Sequence, residues 1–348
     1  MIQFSEYVSL GHPDKIADYI SCYLLDRYLE HDPATRYAVE VQIKDNQVTL
    51  GGEISSTCHF DYDEIAQYVR AAVDEIGYND EYVAKWGKEC AICGSLLDVK
   101  ALITQQSPDI AQGLDGWGDQ GIFFGYAAYN PQTAYMPDDY ALARRLNKAL
   151  YESGLGGLDI KTQVVVDGID IRKIIVAIPL LDTPVSAVQD FVRERIGGNY
   201  ELIVNGTGAY MRHSSIADCG TTGRKLAVDF YGGNCRIGGG CPWTKDGSKA
   251  DLTLNLYARA LALANAVNNR CDIDVALACC IGKTDVDFSV TKRENGQEIG
   301  CGVLQLKPQS LIRSYELDKP IYAQMCRWGL FGEYQTERKW EQIKKFIQ

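Results

Sequence analysis

A histidine, an aspartate and a lysine stand together in Gly11-His12-Pro13-Asp14-Lys15. Two cations follow far downstream in Asp218-Cys-Gly-Thr-Thr-Gly-Arg224-Lys225. A third string, Gly238-Gly-Gly-Cys241-Pro242-Trp243-Thr-Lys245-Asp-Gly-Ser-Lys249-Ala-Asp251, adds lysines and a carboxylate to glycine-rich backbone. These types suit one task. Imidazole, ammonium and guanidinium groups grip phosphate oxygens. Magnesium takes one or two carboxylates and fills its shell from substrate phosphate. The three strings together predict a polyphosphate–magnesium site.

The net charge of −11 argues against a broad nucleic-acid surface. Against that background Arg224, Lys225, Arg236, Lys245 and Lys249 read as a local basic island for a small anion. No run of 18 apolar residues predicts a membrane span. Met1-Ile-Gln-Phe-Ser-Glu-Tyr lacks the marks of a secretory leader, so a cytoplasmic protein is expected. Twelve cysteines then read as reduced, buried small hydrophobes. Cys90-Ala-Ile-Cys93 lacks the second pair of a zinc ribbon, and Cys279-Cys280 reads as core. Gly282-Lys283-Thr284 mimics the end of a phosphate-binding loop, but Leu277 stands where that loop needs glycine.

The elements that must position these groups are legible in hydrophobic periodicity. A helix is predicted after Gly11, with Pro13 in its first turn and His12, Asp14 and Lys15 at its anion-favouring end. Further helices are predicted over 138–153 and 251–268. Three stretches share a strand–turn–strand–helix rhythm, centred on 36–77, 160–197 and 273–315. Val39, Val41 and Ile43 alternate as in a sheet covered on one face. We read an α+β protein of three related units in one chain of 1–348, with no linker-separated domain.

Taken together the strings resemble the S-adenosylmethionine synthetase (methionine adenosyltransferase) family. The resemblance runs in collinear order through 11–18, Gly51-Gly-Glu-Ile54, Gln106-Ser-Pro-Asp-Ile110, Gly118-Asp-Gln-Gly121, 159–164, 218–225, Val228-Asp-Phe-Tyr-Gly-Gly233 and 245–251. It implies three similar units about a pseudo-threefold axis, with sheets packed at a subunit interface. It implies sulfur attack on C5′ of ATP, departure of triphosphate, and its hydrolysis to pyrophosphate and phosphate. The implied partners are ATP, L-methionine and a second subunit, in a homodimer or tetramer with shared sites. Neither nucleic acid nor membrane is an expected partner. The implied cofactors are two Mg²⁺ ions and K⁺.

The resemblance also assigns residues. His12, Lys161, Arg224, Lys225 and Lys245 would carry catalysis and hold phosphates. Asp159, Tyr210, Asp218 and Cys241 would complete the ATP site, with Tyr210 stacking on adenine. Glu53, Gln106, Asp119, Asp218 and Lys249 would bind methionine. Asp14 and Asp251 would hold Mg²⁺, and Glu40 would hold K⁺. The chain departs from the family pattern at Leu10 (usually Glu), Ala209 (usually Arg), Cys241-Pro242-Trp243 (usually Ala-Phe-Ser) and in a short 107–118 loop. The competing reading is a non-catalytic homologue that binds ATP or S-adenosylmethionine.

Overall fold

The computed structural model describes residues 2–105 and 116–342. Its strands, in chain order, are β1 (Ile2–Val8), β2 (Arg36–Lys44), β3 (Gln47–Ser55), β4 (Asp98–Gln105), β5 (Gly121–Ala127), β6 (Lys161–Asp167), β7 (Asp170–Ala177), β8 (Glu201–Val204), β9 (Gly220–Thr221), β10 (Ile273–Cys279), β11 (Asp285–Lys292) and β12 (Glu298–Gln305). The helices are α1 (Pro13–His31), α2 (Tyr62–Ile76), α3 (Asp80–Trp86), α4 (Asp138–Ser153), α5 (Val185–Ile196), α6 (Ser214–Ala217), α7 (Leu226–Asp229), α8 (Ala250–Asn269), α9 (Pro308–Tyr315) and α10 (Tyr322–Cys326).

The described strands form three four-stranded sheets, ordered β1-β6-β7-β8, β4-β3-β2-β9 and β12-β11-β10-β5. Each is built on one hairpin of the sequence rhythm, β6-β7, β2-β3 or β10-β11. In each, the first hairpin strand also pairs antiparallel with a strand from elsewhere in the chain: β1, β9 or β5. The outer strand is added by a helical crossover in two sheets, so β3-β4 and β7-β8 are parallel. In the third sheet β12 is antiparallel to β11. The strand–turn–strand–helix rhythm of 273–315 predicts a helix but no third strand there. Two glycines and an exposed outer position hide β12 from a hydrophobic-alternation test.

Local chemistry explains the elements. In β2, buried Tyr37, Val39, Val41 and Ile43 alternate with more exposed residues. Helix α1 starts at His12, whose side chain accepts the Asp14 N–H, with Pro13 in the first turn. Helix α2 carries a reciprocal cap between Asp61 and Glu64 and ends at Gly77, whose φ is 117°. One long helix lies on each sheet: α1 on β2 and β9, α4 on β1 and β6, α8 on β5 and β10. Apolar side chains of α1 therefore bury on several sides, since α2 and α10 also flank it.

The faces away from these helices carry large apolar residues. Ile2 and Phe4 on β1 are 60% and 65% exposed, and Leu102 on β4, Ile122 on β5 and Val303 on β12 are also exposed. All twelve cysteines are unpaired. Cys90, Cys93 and Cys279 are buried as read, but Cys280 is exposed because it lies past the end of β10. Among the described residues no helix is long and apolar enough to cross a membrane.

Candidate active site

The N-terminus of α1 and the 218–225 string meet to form one half of the site. His12 is buried, and its Nδ1 accepts the Asp14 N–H at 3.2 Å. Burial, then the charges of Lys161, Lys225, Lys15 and Arg224, push its pKa down to about 2. The ring is therefore neutral near pH 7. With Nδ1 accepting, its proton sits on Nε2, which makes it a donor suited to a phosphate oxygen.

Asp14 reaches across the chain to the same string. Its Oδ1 accepts the Thr221 N–H at 2.9 Å and its Oδ2 meets Lys225 Nζ at 2.5 Å. Arg224 Nη1 lies 3.8 Å away. Asp18, one turn on in α1, accepts the Gly223 N–H at 2.9 Å. The string also enters a sheet, since Thr221 and Gly220 pair with Gln42 and Ile43. Gly220 is required there, because a Cβ would sit 2.1 Å from the Pro13 carbonyl oxygen.

Asp159 closes this half. It is buried; Oδ2 accepts the Ser214 N–H at 3.1 Å, while Oδ1 has no protein partner. Burial raises its pKa to about 6, against the opposing charges of Lys161 and Lys225, and Asp218 adds to the rise. Tyr210 is partly buried, and burial followed by the nearby Asp159 charge raises its phenol pKa. Lys161 opens β6 and is exposed, as is Asp218.

The 238–251 string forms the other half. Lys245 pairs with Ala38 of β2, and Ala38 in turn stands opposite Glu53 of β3. Glu53, Ala38 and Lys245 thus lie in one lateral row. Lys245 Nζ makes an ion pair with Asp251, in the first turn of α8. The glycine run lies against that carboxylate: a Cβ on Gly240 would fall 2.0 Å from Asp251 Oδ1. Lys249 caps α8, with Nζ 3.8 Å from Asp246. Asp119 is exposed, and its carbonyl accepts the Cys279 thiol at 3.4 Å. Burial raises that thiol to about 11, and both Asp119 and Asp251 add to the rise. Gln106 lies outside the described residues; Gln105 before it pairs with Ile54, beside Glu53.

Glu40 joins the halves. One of its oxygens accepts from the Thr222 hydroxyl and the other from the Thr244 hydroxyl at 3.0 Å. Cys241 packs against Gly223, leaving no room there for a Cβ. Trp243 is fully buried, with Lys15 Nζ 4.7 Å from its ring centroid. Lys15 is itself buried between Asp18 at 3.1 Å and Asp229 at 2.5 Å.

The basic island is thus not a cluster of bare cations. Lys225, Lys245 and Lys249 each face an aspartate, and Arg236 lies 4.6 Å from the ring of Phe124. Sequence reasoning missed Lys15, Asp18, Asp229, Thr222 and Thr244 as supports. Lys15 and Asp18 stand three apart on α1, a spacing that could have marked them as a pair.

Such an α+β scaffold, setting a neutral histidine and lysine-paired carboxylates around glycine-rich backbone, has the make-up of a polyphosphate-handling enzyme. Residues 1–108 match the profile of the S-adenosylmethionine synthetase N-terminal domain, and 213–342 that of its C-terminal domain. The S-adenosylmethionine synthase of Clostridium tetani is 34% identical, over 98% of this chain and 96% of its own length. That of Clostridium acetobutylicum is 35% identical over the same shares. A solved structure described as an unusual S-adenosylmethionine synthetase from Campylobacter jejuni superposes with a TM-score of 0.88 at 29% identity, covering 98% of this chain and 97% of that one. The chain belongs to the S-adenosylmethionine synthetase family. Its activity is that of a methionine adenosyltransferase, with ATP and methionine as substrates.

Proposed function

We propose that the two halves act together on ATP and L-methionine, with each complete site shared between two subunits. A thioether has no proton to lose, so the reaction needs no general base. Its barrier lies in aligning sulfur with C5′ and in stabilising a highly charged triphosphate as it leaves. Positioning and preorganised positive charge lower those two costs. His12 Nε2, Lys161, Arg224, Lys225 and Lys245 hold the phosphate chain. Asp159, Tyr210, Asp218 and Cys241 line the nucleoside. Glu53, Gln106, Asp119, Asp218 and Lys249 orient methionine. Cleavage of triphosphate to pyrophosphate and phosphate follows in the same phosphate grip.

The observation that carries this reading is a repeated pairing. Lys225 faces Asp14 in one half, and Lys245 faces Asp251 in the other. Among the described residues no three histidine, cysteine or acidic side chains converge as a protein-only metal cage. Magnesium seldom uses such a cage; it binds one or two carboxylates plus phosphate and water. Asp14 and Asp251, each beside a lysine, fit that demand: the carboxylate for metal, the lysine for phosphate. Bound there, Mg²⁺ supplies charge neutralisation at the leaving oxygens. Glu40, between the Thr222 and Thr244 hydroxyls, offers hard oxygens suited to K⁺.

The uncovered apolar residues Ile2, Phe4, Leu102, Ile122 and Val303 support a subunit interface across the sheet faces. We assign the chain to a cytoplasmic homodimer or tetramer whose three strand–strand–helix units repeat about a common axis. The test is direct. Purified protein with ATP, methionine and Mg²⁺ yields S-adenosylmethionine, pyrophosphate and phosphate by mass spectrometry. ADP as the product would overturn the reading.

A further inference from the structure

His213 belongs to none of the strings that the function absorbs, yet it is 1% exposed and both ring nitrogens are engaged. Its Nδ1 lies 2.6 Å from the Met211 carbonyl oxygen, which can only accept. Nδ1 therefore carries the proton and Nε2 is the acceptor. Tyr82 Oη lies 2.7 Å from Nε2 and donates to it, while the same oxygen accepts the Leu158 N–H at 3.1 Å. The result is a directed chain of hydrogen bonds, from Leu158 N–H through Tyr82 and His213 to the Met211 carbonyl. Its ends are the immediate neighbours of Asp159 and Tyr210.

The surroundings hold this chain rigid. Trp86 stacks on Tyr82 with ring centroids 5.7 Å apart and meets His213 edge-on at 4.8 Å. The His213 N–H donates to the Cys90 carbonyl at 2.8 Å. The next residue, Ser214, has a left-handed φ of 56°, and that turn aims its N–H at Asp159 Oδ2. Ile92 N–H donates to the Ser214 hydroxyl at 3.3 Å. Tyr78, which packs against both Tyr82 and His213, donates to the Gly11 carbonyl at 2.8 Å, directly before His12.

We propose that His213 is a positioning residue, which with Tyr82 fixes Asp159 and Tyr210 in the geometry that accepts the nucleoside of ATP. The proposal rests on the reading of those two residues as ATP contacts. His213 touches no substrate. With Tyr82 it ties the 158–159 segment to the 210–214 segment, beside the direct bond from Ser214 N–H to Asp159 Oδ2. The Cys90-x-x-Cys93 turn gains a role as its anchor through backbone.

Three single variants, one double variant and a control test this. Tyr82→Phe and His213→Asn each break the link to Leu158, and His213→Gln keeps an acceptor in place of Nε2. Tyr82→Phe and His213→Asn are expected to raise KM for ATP by roughly tenfold, the scale of one lost buried hydrogen bond. KM for methionine and kcat stay within about twofold, and the double variant Tyr82→Phe/His213→Asn is no worse than either alone. His213→Gln recovers part of the ATP affinity. A merely structural role instead lowers melting temperature and the active fraction with unchanged KM for ATP, which overturns the proposal. Asp159→Asn is the control. If it raises KM for ATP while the relay variants do not, the relay is wrong and the ATP assignment stands. If Asp159→Asn leaves KM for ATP unchanged, that assignment falls and the proposal with it.

Discussion

Asp14 and Lys225 meet at 2.5 Å although 211 residues separate them. That contact joins the start of α1 to the end of the 218–225 string. Lys245 and Asp251 repeat the pattern only six residues apart. The two pairs start different helices, α1 and α8, while both strings lie against the same strand, β2.

Removing the Lys245 ammonium tests the charge argument most simply. Lys245→Ala is expected to lower kcat by roughly 10²–10³, the usual cost of losing one preorganised charge at a leaving oxygen. Single-turnover kinetics with ATP and methionine provide the measurement. A near-normal rate would remove Lys245 from the phosphate grip.

Sharing of sites predicts complementation. Asp14→Asn and Lys245→Ala each inactivate the homo-oligomer. After the two are unfolded together and reassembled, each mixed dimer has one site with both lesions and one with neither. About a quarter of the wild-type activity is then expected from random pairing. No recovery, with mixed dimers verified by mass, would place both halves of a site in one chain.

His213 also predicts a pH dependence of stability. Burial pushes its pKa down from 6.5 to about 4, with the Met211 carbonyl opposing. Below pH 6.5 the unfolded chain therefore takes up a proton that the folded chain refuses. Stability contributed by the neutral ring is full above pH 6.5 and declines as pH falls toward 4, by about 3 kcal/mol in total. Denaturant unfolding of wild type and His213→Gln across that range shows the difference. A gap that does not change with pH contradicts the sign.

Potassium separates two neighbours of the nucleotide segment. Glu40→Gln is expected to abolish stimulation by K⁺, since it removes the charge between Thr222 and Thr244. Trp243→Phe keeps the K⁺ response and lowers the melting temperature, because the indole is buried beneath Lys15. Activity titrated with KCl against NaCl distinguishes them.

The hairpins were legible because burial on one face leaves a period of two, as Tyr37, Val39, Val41 and Ile43 show. The start of α1 was legible because Pro13 and a capping histidine are local signals. β12 and β1 were not, since both expose residues that a solitary sheet would cover. For the site, residue types suggested the chemistry but not the pairing. Lys15 reads as a cation at the anion-favouring end of a helix until Asp229, 214 positions away, is folded onto it. His213 was silent for the same reason: its distant ring partner Tyr82 comes from α3, and Tyr82 in turn accepts the Leu158 N–H on the approach to β6. Pairing across long stretches of chain leaves no periodic trace.

The order of synthesis meets that long-range stitching in one more place. Asp26 of α1 accepts the N–H groups of Tyr322 and Ala323, and Tyr322 lies 296 positions along the chain from Asp26. During translation the first helix must wait, its carboxylate unmatched, until α10 has left the ribosome. Contacts so distant make productive collapse slow and leave early segments exposed to association. Nascent chains stalled before residue 322 should accordingly remain sensitive to protease within α1, and should engage chaperones that later release a finished subunit.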